Sequence, residues 1–316
     1  MEPNFFIVGA PKSGTTSLYH YLDQHPQIFM SPMKEPCYFA SEVRLENFAP
    51  EYRTQASRYA REMSMYLGSS KTEKHSVGYV SRWEDYVGLF DRVAGETIVG
   101  EASVVYLWSP SAARNIAARI PRAKIVAVLR HPVDRAWSQY LQYRANGYLT
   151  SPFREHIEAC MAARNPSRKG QFSPAYPFLE FGMYYEQLRT WFELFPRENI
   201  QVCFYQDGLA HILTDLLRFL CVDTTFEIDT SRRYLDSSSA ENAMILYRTL
   251  KKYDLWQPFR RLAPSSVRPL FHRLAFRKHT PIQMNEEDRR FLCEYYKDGV
   301  MKLEDLLQRD LHSWLI

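Results

Sequence analysis

The amino-acid sequence predicts an α/β fold in which a doubly wound parallel sheet is flanked by helices. Short, continuously apolar segments recur along the chain, and most lead through turn residues into a segment whose apolar residues have helical spacing. Such short apolar runs are typical of strands buried on both faces, and strands that alternate with helices form parallel sheets. The length of 316 residues is compatible with a single domain over residues 1–316.

The predicted strands and helices alternate in a regular order. Strands are predicted at residues 4–8, 97–100, 124–129 and 200–205, and helices at residues 15–24, 83–93, 133–145 and 184–195. The last stretch, 286–307, has apolar residues at helical spacing and is predicted to form a helical hairpin that is broken near Gly299.

Two stretches interrupt this order. Residues 41–82 are polar and rich in tyrosine without a clean period, and we expect them to form an insertion, or cap, over the carboxyl edge of the sheet. Residues 148–177 contain four prolines and are predicted to form a long loop with one helix. Long loops in compact domains are usually functional or mobile.

The composition argues against several classes of protein. The net charge of +4, from 40 basic and 36 acidic residues, is too weak to indicate a nucleic-acid partner. The five cysteines are scattered without a CxxC pair or a Cys/His cluster, so neither a zinc site nor a disulfide framework is expected. This favours a reducing, cytoplasmic location. No segment approaches the roughly 18 consecutive apolar residues of a membrane span.

A glycine-rich segment follows the first predicted strand. Residues 9–16 read GAPKSGTT and lead directly into a predicted helix. In this context successive backbone N–H groups and the helix N-terminus face an anion, so the segment predicts a phosphate loop and a P-loop-like sheet. Thr15 stands where nucleoside-triphosphate enzymes have lysine, and the lysine of this segment is Lys12. Lys12, Thr15 and Thr16 are therefore candidate ligands of a 5′-phosphate.

Two other interpretations of this loop remain open. One is a tight strand-to-helix turn with an incidental lysine. The other is a nucleotide kinase or NTPase, whose Mg²⁺ needs an acidic ligand. The strand at 124–129 ends on Arg130 instead of an aspartate.

A second anion site is predicted at the end of that strand. Arg130 lies where the strand meets the next helix, in the crevice where open α/β sheets bind ligands. Ser138 lies about two turns into the helix, and together the two residues can hold a second phosphate through charge-assisted hydrogen bonds. Arg130 alone could equally form a structural ion pair. Two separate anion sites indicate a bisphosphorylated nucleotide.

These motifs resemble those of the sulfotransferases that use 3′-phosphoadenosine 5′-phosphosulfate (PAPS), especially bacterial members related to the heparan-sulfate type. Residues 11–18 (PKSGTTSL) are similar to the loop for the 5′-phosphosulfate, and residues 127–140 (AVLRHPVDRAWSQY) to the 3′-phosphate motif. Residues 34–39 (KEPCYF) resemble the KEP-x-x-F segment of the family. Residues 100–107 (GEASVVYL) resemble a GExSPxYL strand end in which Val104 replaces proline.

The resemblance implies transfer of a sulfuryl group from PAPS to an acceptor hydroxyl by in-line displacement, with release of adenosine 3′,5′-bisphosphate and without a metal. The implied cofactor ligands are Lys12, Ser13, Gly14, Thr15, Thr16, Ser17, Arg130 and Ser138, with Arg277 and Lys278 from a loop that closes over the 3′-phosphate. Lys12 is expected to stabilise the leaving phosphate. Glu35 is the expected general base, with a surface carboxylate as the simpler interpretation and His20, His25 and His131 as rival bases.

The sequence leaves the acceptor open among a small metabolite, a glycan and a lipid. Cys37 stands where several glycan-specific relatives have histidine, which argues against a heparan-like acceptor. A mobile or acceptor-side region is expected at about residues 232–275, and the basic stretch 255–285 can serve the cofactor, the acceptor or a membrane surface. A basic, aromatic-rich surface that binds nucleic acid with a steep salt dependence is the non-enzymatic alternative.

Overall fold

Five parallel strands form the centre of the molecule. In the computed structural model, which describes residues 1–49, 53–75, 78–163, 173, 176–232, 234 and 283–316, they lie in the order β2-β3-β1-β4-β5. The strands are β1 (Phe5–Gly9), β2 (Ile28–Met30), β3 (Ile98–Ala102), β4 (Lys124–Leu129) and β5 (Ile200–Phe204). Every neighbouring pair is parallel, so all five strands end at the same edge. The predicted α/β sheet is confirmed.

Helices cover both faces of this sheet. In the described part of the chain they are α1 (Thr15–Leu22), α2 (Arg53–Leu67), α3 (Trp83–Val87), α4 (Pro110–Arg119), α5 (Pro132–Ala145), α6 (Phe153–Ala163), α7 (Tyr184–Leu194), α8 (Leu209–Leu220) and α9 (Glu286–Leu307). Phe5 and Ile7 of β1 belong to one hydrophobic cluster with α1 and α8. Phe6 and Val8 belong to another with α4, α5, α7 and α9. Successive side chains of a strand point to opposite faces, so a fully buried strand needs a helical layer on each.

The strand order creates a crevice beside β1. The chain runs from β1 to β2 and β3 on one side of β1, and then crosses to β4 and β5 on the other. α1, which follows β1, packs in the hydrophobic cluster on one face of the sheet. α5, which follows β4, packs in the cluster on the other face. The connections after these two strands therefore diverge, and open α/β sheets bind ligands at such a point.

The predicted break in the last helix is wrong. α9 runs from Glu286 to Leu307 through Gly299 without interruption. A Cβ at Gly299 would meet nothing within 4 Å, and the buried positions Tyr296 and Val300 lie on either side of it. One glycine inside a helix costs about 1 kcal/mol, and the continuous buried face of α9 offsets this cost.

The predicted insertion at 41–82 is more regular than its sequence indicates. It contains α2 and two 3₁₀ helices, Ser41–Val43 and Leu45–Asn47. A helix that is polar over most of its surface lacks the apolar periodicity by which helices are recognised. The predicted helix at 83–93 is shorter, because α3 ends at Val87 and a 3₁₀ turn follows at Gly88–Phe90. The helix expected within 148–177 is α6.

The segment after α9 packs against the carboxyl ends of β4 and β5. Trp314 is 2% exposed, and its indole N–H donates to Gln206 Oε1 over 3.0 Å. The Trp314 ring lies 6.0 Å from the His131 ring and 5.9 Å from the Phe204 ring, measured between centroids. The carboxyl-terminal segment therefore supports the residues that leave the sheet at its ligand-binding edge.

We expect Trp314→Ala to lower the free energy of unfolding by about 3–5 kcal/mol, because truncation of a buried tryptophan leaves a cavity. Trp314→Phe keeps an aromatic ring but removes the donor to Gln206, which is exposed to water, so the expected loss is about 0.5–1.5 kcal/mol. Urea denaturation measures both variants, with the exposed Phe291→Ala as the control. A Trp314→Ala protein as stable as the control would contradict this packing.

Candidate active site

The phosphate loop (residues 9–16) joins the end of β1 to α1. Ala10 N donates to Val128 O of β4 over 2.8 Å, and α1 begins at Thr15. Gly14 has a φ of +82°, and a Cβ at this residue would lie 2.7 Å from Leu209 Cδ2. Both the backbone conformation and the close approach of α8 therefore favour glycine here. The predicted strand–loop–helix arrangement is present.

Four hydroxyl-bearing residues of the predicted set lie in or next to this loop. Ser13, Thr15 and Ser17 are buried, and Thr16 is half-buried. Ser17 Oγ accepts a hydrogen bond from Tyr234 N over 3.1 Å. Ser13 Oγ makes no hydrogen bond of good geometry with a described residue, although its side chain interacts with the Tyr184 hydroxyl. A buried hydroxyl without a well-formed hydrogen bond is costly unless a ligand completes its bonds, so Ser13 fits an anion-binding loop.

Arg130 brings the second predicted motif against the phosphate loop. Its Nη1 donates to Lys12 O over 3.0 Å, although the two residues are 118 positions apart. The Arg130 guanidinium lies 5.0 Å from the centroid of the Tyr205 ring, and the Tyr184 hydroxyl donates to Arg130 O over 2.9 Å. Ser138 is buried on α5, the helix that follows. The two basic residues of the predicted anion sites thus belong to one region.

A cavity of about 530 Å³ lies beside this region. Its lining includes Tyr21 of α1, Tyr205 and Gly208 from the connection between β5 and α8, and Leu209 at the start of α8. Tyr205 and Leu209 are also the neighbours that a Cβ at Gly14 would meet, so two of the lining residues contact the phosphate loop. Sequence reasoning assigned no role to Tyr205. Its position at the carboxyl end of a predicted strand was the available signal.

The Glu35 loop (residues 31–40) follows β2 and lies beside β3. Glu35 N donates to Ala102 O over 2.9 Å, and Ala102 pairs with Ile7 of β1. Glu35 is therefore at the same edge of the sheet as the phosphate loop. Lys34 Nζ lies 2.6 Å from Glu35 Oε1. The φ angles of Glu35 and Cys37 are +65° and +56°, a region that costs energy for residues other than glycine and that often occurs at functional sites.

The far end of the predicted insertion runs along the Glu35 loop. Four backbone hydrogen bonds join the two segments: Lys34 N to His75 O, His75 N to Pro32 O, Gly78 N to Glu35 O and Val80 N to Pro36 O. The insertion therefore contacts the carboxyl-edge segment that carries the candidate base.

A buried carboxylate within the GExSPxYL-like segment, to which sequence reasoning gave no role, lies behind the Glu35 loop. Glu101 of β3 is fully buried and accepts hydrogen bonds from the hydroxyls of Tyr86, Ser103 and Tyr106, at 2.9, 2.6 and 2.9 Å. Burial raises the pKa of Glu101 from 4.5 to about 7. The available signal in the sequence was a glutamate inside an otherwise apolar strand.

The three histidines that rival Glu35 as bases have other contacts. His25 bonds through both ring nitrogens to backbone groups. His131 accepts a hydrogen bond from Val133 N and caps α5. His20 stacks on the Tyr234 ring with 4.0 Å between centroids. Burial lowers the pKa of both His20 and His131, so the two imidazoles are neutral near pH 7.

Some of the predicted site residues lie outside the described ranges. Arg277, Lys278 and nearly all of the region 232–275 lie outside them. Inside them, no group of three or more His, Cys, Asp or Glu side chains is arranged to hold a metal ion. No helix among the described residues has the length and apolarity needed to cross a membrane.

Comparison with known sequences identifies the family. The profile described as "Sulfotransferase family" matches residues 3–171, and the profile described as "Sulfotransferase domain" matches residues 108–242. The chain belongs to the sulfotransferase family. It is therefore an enzyme of the transferase class, and the resemblance drawn from the phosphate loop and the Arg130 motif is confirmed.

Relatives of known sequence or structure support this assignment. The solved sulfotransferase of Alicyclobacillus acidocaldarius is 28% identical, with a TM-score of 0.69 and 99% of each chain covered. The human bifunctional heparan sulfate N-deacetylase/N-sulfotransferase 3 is 26% identical over 99% of this chain and 31% of the relative. Rat carbohydrate sulfotransferase 15 is 26% identical over 66% of this chain and 41% of the relative. The chain thus spans well under half the length of these two curated relatives.

Proposed function

We propose that this sulfotransferase uses PAPS as its donor, transfers the sulfuryl group to an acceptor hydroxyl by in-line displacement, and releases adenosine 3′,5′-bisphosphate. The observation that carries the proposal is the hydrogen bond from Arg130 Nη1 to Lys12 O. It joins two candidate phosphate sites, one at the end of β1 and one at the end of β4. A nucleotide with phosphates on both sides of its ribose matches two such sites better than a linear triphosphate does.

The donor would be held from several directions. Residues 12–17 would surround the 5′-phosphosulfate, with the Ser13 hydroxyl and the N-terminus of α1 as donors. Arg130 and Ser138 would hold the 3′-phosphate, with Arg277 and Lys278 as further ligands. Tyr21 and Tyr205, which line the cavity, would provide an aromatic surface for the base.

Lys12 and Glu35 would carry the chemistry. During transfer, negative charge grows on the leaving 5′-phosphate, so a fixed ammonium group stabilises the transition state more than the ground state. Glu35 would accept the acceptor proton. The bond from Lys34 Nζ to Glu35 Oε1 orients the carboxylate, and Oε2 has no hydrogen-bond partner among the described residues.

The setting of the reaction is part of the proposal. Residues 1–316 would form one sulfotransferase domain, with residues 41–82 as a cap next to the acceptor. The backbone bonds from this segment to the Glu35 loop support such a cap. The acceptor would be a small metabolite, a glycan or a lipid. A cytoplasmic location agrees with five cysteines that form no disulfide.

Adenosine 3′,5′-bisphosphate should raise the melting temperature in the presence of a chelator, because a ligand that binds the native state stabilises it. Thermal melts with the bisphosphate, with ATP and with ATP plus Mg²⁺ test the proposal. A shift with Mg²⁺-ATP and none with the bisphosphate would favour the kinase alternative.

Arg130→Ala and Lys12→Ala should have different effects. Loss of the Arg130 contact should weaken bisphosphate binding about tenfold to a hundredfold, because hydrogen bonds to charged groups are strong and this phosphate does not change during the reaction. Lys12→Ala should reduce the transfer rate at saturating PAPS about a hundredfold or more. Calorimetric titration and [³⁵S]PAPS transfer to a panel of phenols, alcohols and sugars measure the two effects.

The control for lost charge is Arg189→Ala, since Arg189 is an exposed residue of α7 that pairs with Glu193. Equal losses of affinity in the Lys12 and Arg130 variants, with no loss of rate at saturation, would remove Lys12 from the catalytic role.

Glu35→Gln should keep the fold and the bisphosphate affinity but lose about a hundredfold to ten-thousandfold in transfer rate, the usual contribution of a general base. The amide preserves the shape of the side chain and removes its basicity. His20→Gln and His131→Gln are the matched variants. If Glu35→Gln keeps near-native transfer and a folded histidine variant is inactive, the base is that imidazole.

A further inference from the structure

The carboxylate of Glu101 is an unusual feature of the sheet. It lies in β3, a fully buried strand, and has no exposed surface. All three of its described side-chain hydrogen bonds come from hydroxyl groups. A buried carboxylate without a cationic partner is expensive, so its presence calls for a physical role.

Two of the three hydroxyls also form hydrogen bonds with the Glu35 loop. Ser103 Oγ donates to Glu101 Oε2 and accepts from Cys37 N over 3.1 Å. The Tyr106 hydroxyl donates to Glu101 Oε1 and accepts from Phe39 N over 3.3 Å. Each hydroxyl thus stands between the carboxylate and a backbone amide of the loop.

The third hydroxyl differs in this respect. Tyr86 donates to Glu101 Oε1 over 2.9 Å, the same distance as Tyr106. The Tyr86 ring packs on Tyr38 and Phe39. Among the described residues, the Tyr86 hydroxyl makes no hydrogen bond to the backbone of the Glu35 loop. Tyr86 therefore serves as a control for Ser103 and Tyr106.

We propose that Glu101 is a positioning residue for the Glu35 loop: its carboxylate fixes the direction of the Ser103 and Tyr106 hydroxyls, which then hold the amides of Cys37 and Phe39. An ionised carboxylate only accepts hydrogen bonds, so each hydroxyl must point its proton at Glu101. Each oxygen then turns its lone pairs to the loop. A protonated or amide side chain would place a donor at one of the two oxygen positions and reverse the directional order on that side.

The Glu35 loop carries the proposed catalytic base, so a fixed loop shape matters for the reaction. Glu35 and Cys37 both have positive φ angles, so the loop needs fixed contacts to keep its shape. A displacement of about 1 Å in a catalytic group can cost about a hundredfold in rate. The effect on catalysis rests on the proposed function, in which Glu35 is the base, whereas the effect on loop order does not.

Stability alone does not account for the carboxylate. The pKa of Glu101 is raised by burial from 4.5 to about 7, which means that folding disfavours the ionised form. Its ionisation therefore lowers stability as the pH rises from 4.5 to 7. The titratable groups that face it are Tyr86, Tyr106, Cys37 and Glu35. Burial raises the pKa of both tyrosines and of Cys37, so these three stay protonated near pH 7.

Hydrogen exchange tests the loop directly and needs no acceptor. In the wild type, the protection factors of the Cys37 and Phe39 amides should fall as the pH drops below about 7 and Glu101 takes up a proton. In Glu101→Gln the amide whose hydroxyl faces the new NH2 group, Cys37 through Ser103 or Phe39 through Tyr106, should be about fivefold to tenfold less protected, the usual effect of one buried hydrogen bond, and its protection should be independent of pH between 6 and 8. The melting temperature at pH 8 should equal or exceed that of the wild type. Wild-type protection of both amides in a folded Glu101→Gln overturns the proposal, as does a loss of protection that is equal throughout a folded molecule.

Three hydroxyl variants keep the test decisive if Glu101→Gln does not fold. Tyr106→Phe and Tyr86→Phe remove one hydroxyl each from the same carboxylate oxygen and keep both rings. Only Tyr106→Phe should lower the protection of Phe39, and Ser103→Ala should lower that of Cys37. Equal effects of the two tyrosine variants on the loop would show that the network has only a structural role.

The transfer rate separates this inference from the assignment of the base. At saturating PAPS and at pH 8.5, Glu101→Gln and Tyr106→Phe should be about tenfold slower or more, and Tyr86→Phe should match the wild type. An inactive Glu35→Gln beside a fully active Glu101→Gln rejects the positioning role alone. An active Glu35→Gln rejects the base, and the exchange data then decide whether Glu101 orders the loop.

Discussion

The central position of β1 in the parallel sheet is the constraint on which the candidate site depends. Ile7 pairs with Ala102 of β3 on one side and with Val126 of β4 on the other. Parallel ladders bring the carboxyl ends of all three strands to one edge. The phosphate loop, Arg130 and the Glu35 loop each lie at such an end or bond to it. A slip of one residue would turn the buried faces of β1 over, so the packing of both helical layers maintains this register.

Two kinds of electrostatic environment meet at this edge. Lys12 and Arg130 lie on one side of β1, near the N-terminus of α1, and positive charge together with a helix N-terminus favours anions. On the other side of β1, Glu101 is a fully buried carboxylate held by three hydroxyls. In the proposed function, the basic region binds a donor with two phosphates. Ionisation of Glu101 lowers the stability of the protein. In the proposed arrangement the ionised carboxylate maintains the shape of the Glu35 loop.

The elements that the sequence predicted well are those with strong local signals. The strand at 124–129 and the start of α1 at Thr15 agree with the structure, since a short apolar run and a glycine-rich loop are recognised without tertiary contacts. The hairpin predicted near Gly299 was wrong because packing on both sides of one glycine outweighs its low helix propensity. α2 was missed because its sequence is mostly polar. β2 was missed because three residues are too few to show a period.

For the site, the sequence alone identified the family and predicted the phosphate loop. Two local patterns were sufficient, because the residue types within each one indicate anion binding. They are the spacing of Gly9 and Gly14 with Lys12 between them, and the Arg130 motif at a strand end. Only the tertiary structure decided that Arg130 contacts Lys12, that Lys34 pairs with Glu35 instead of a distant acid, and that the Glu101 hydroxyl network reaches Cys37 and Phe39. Most of these contacts join segments that are tens of residues apart in the sequence. Lys34 and Glu35 are neighbours, and their contact depends on the backbone angles of the Glu35 loop. They follow from strand order and backbone conformation, which the periodicity of any one segment does not encode.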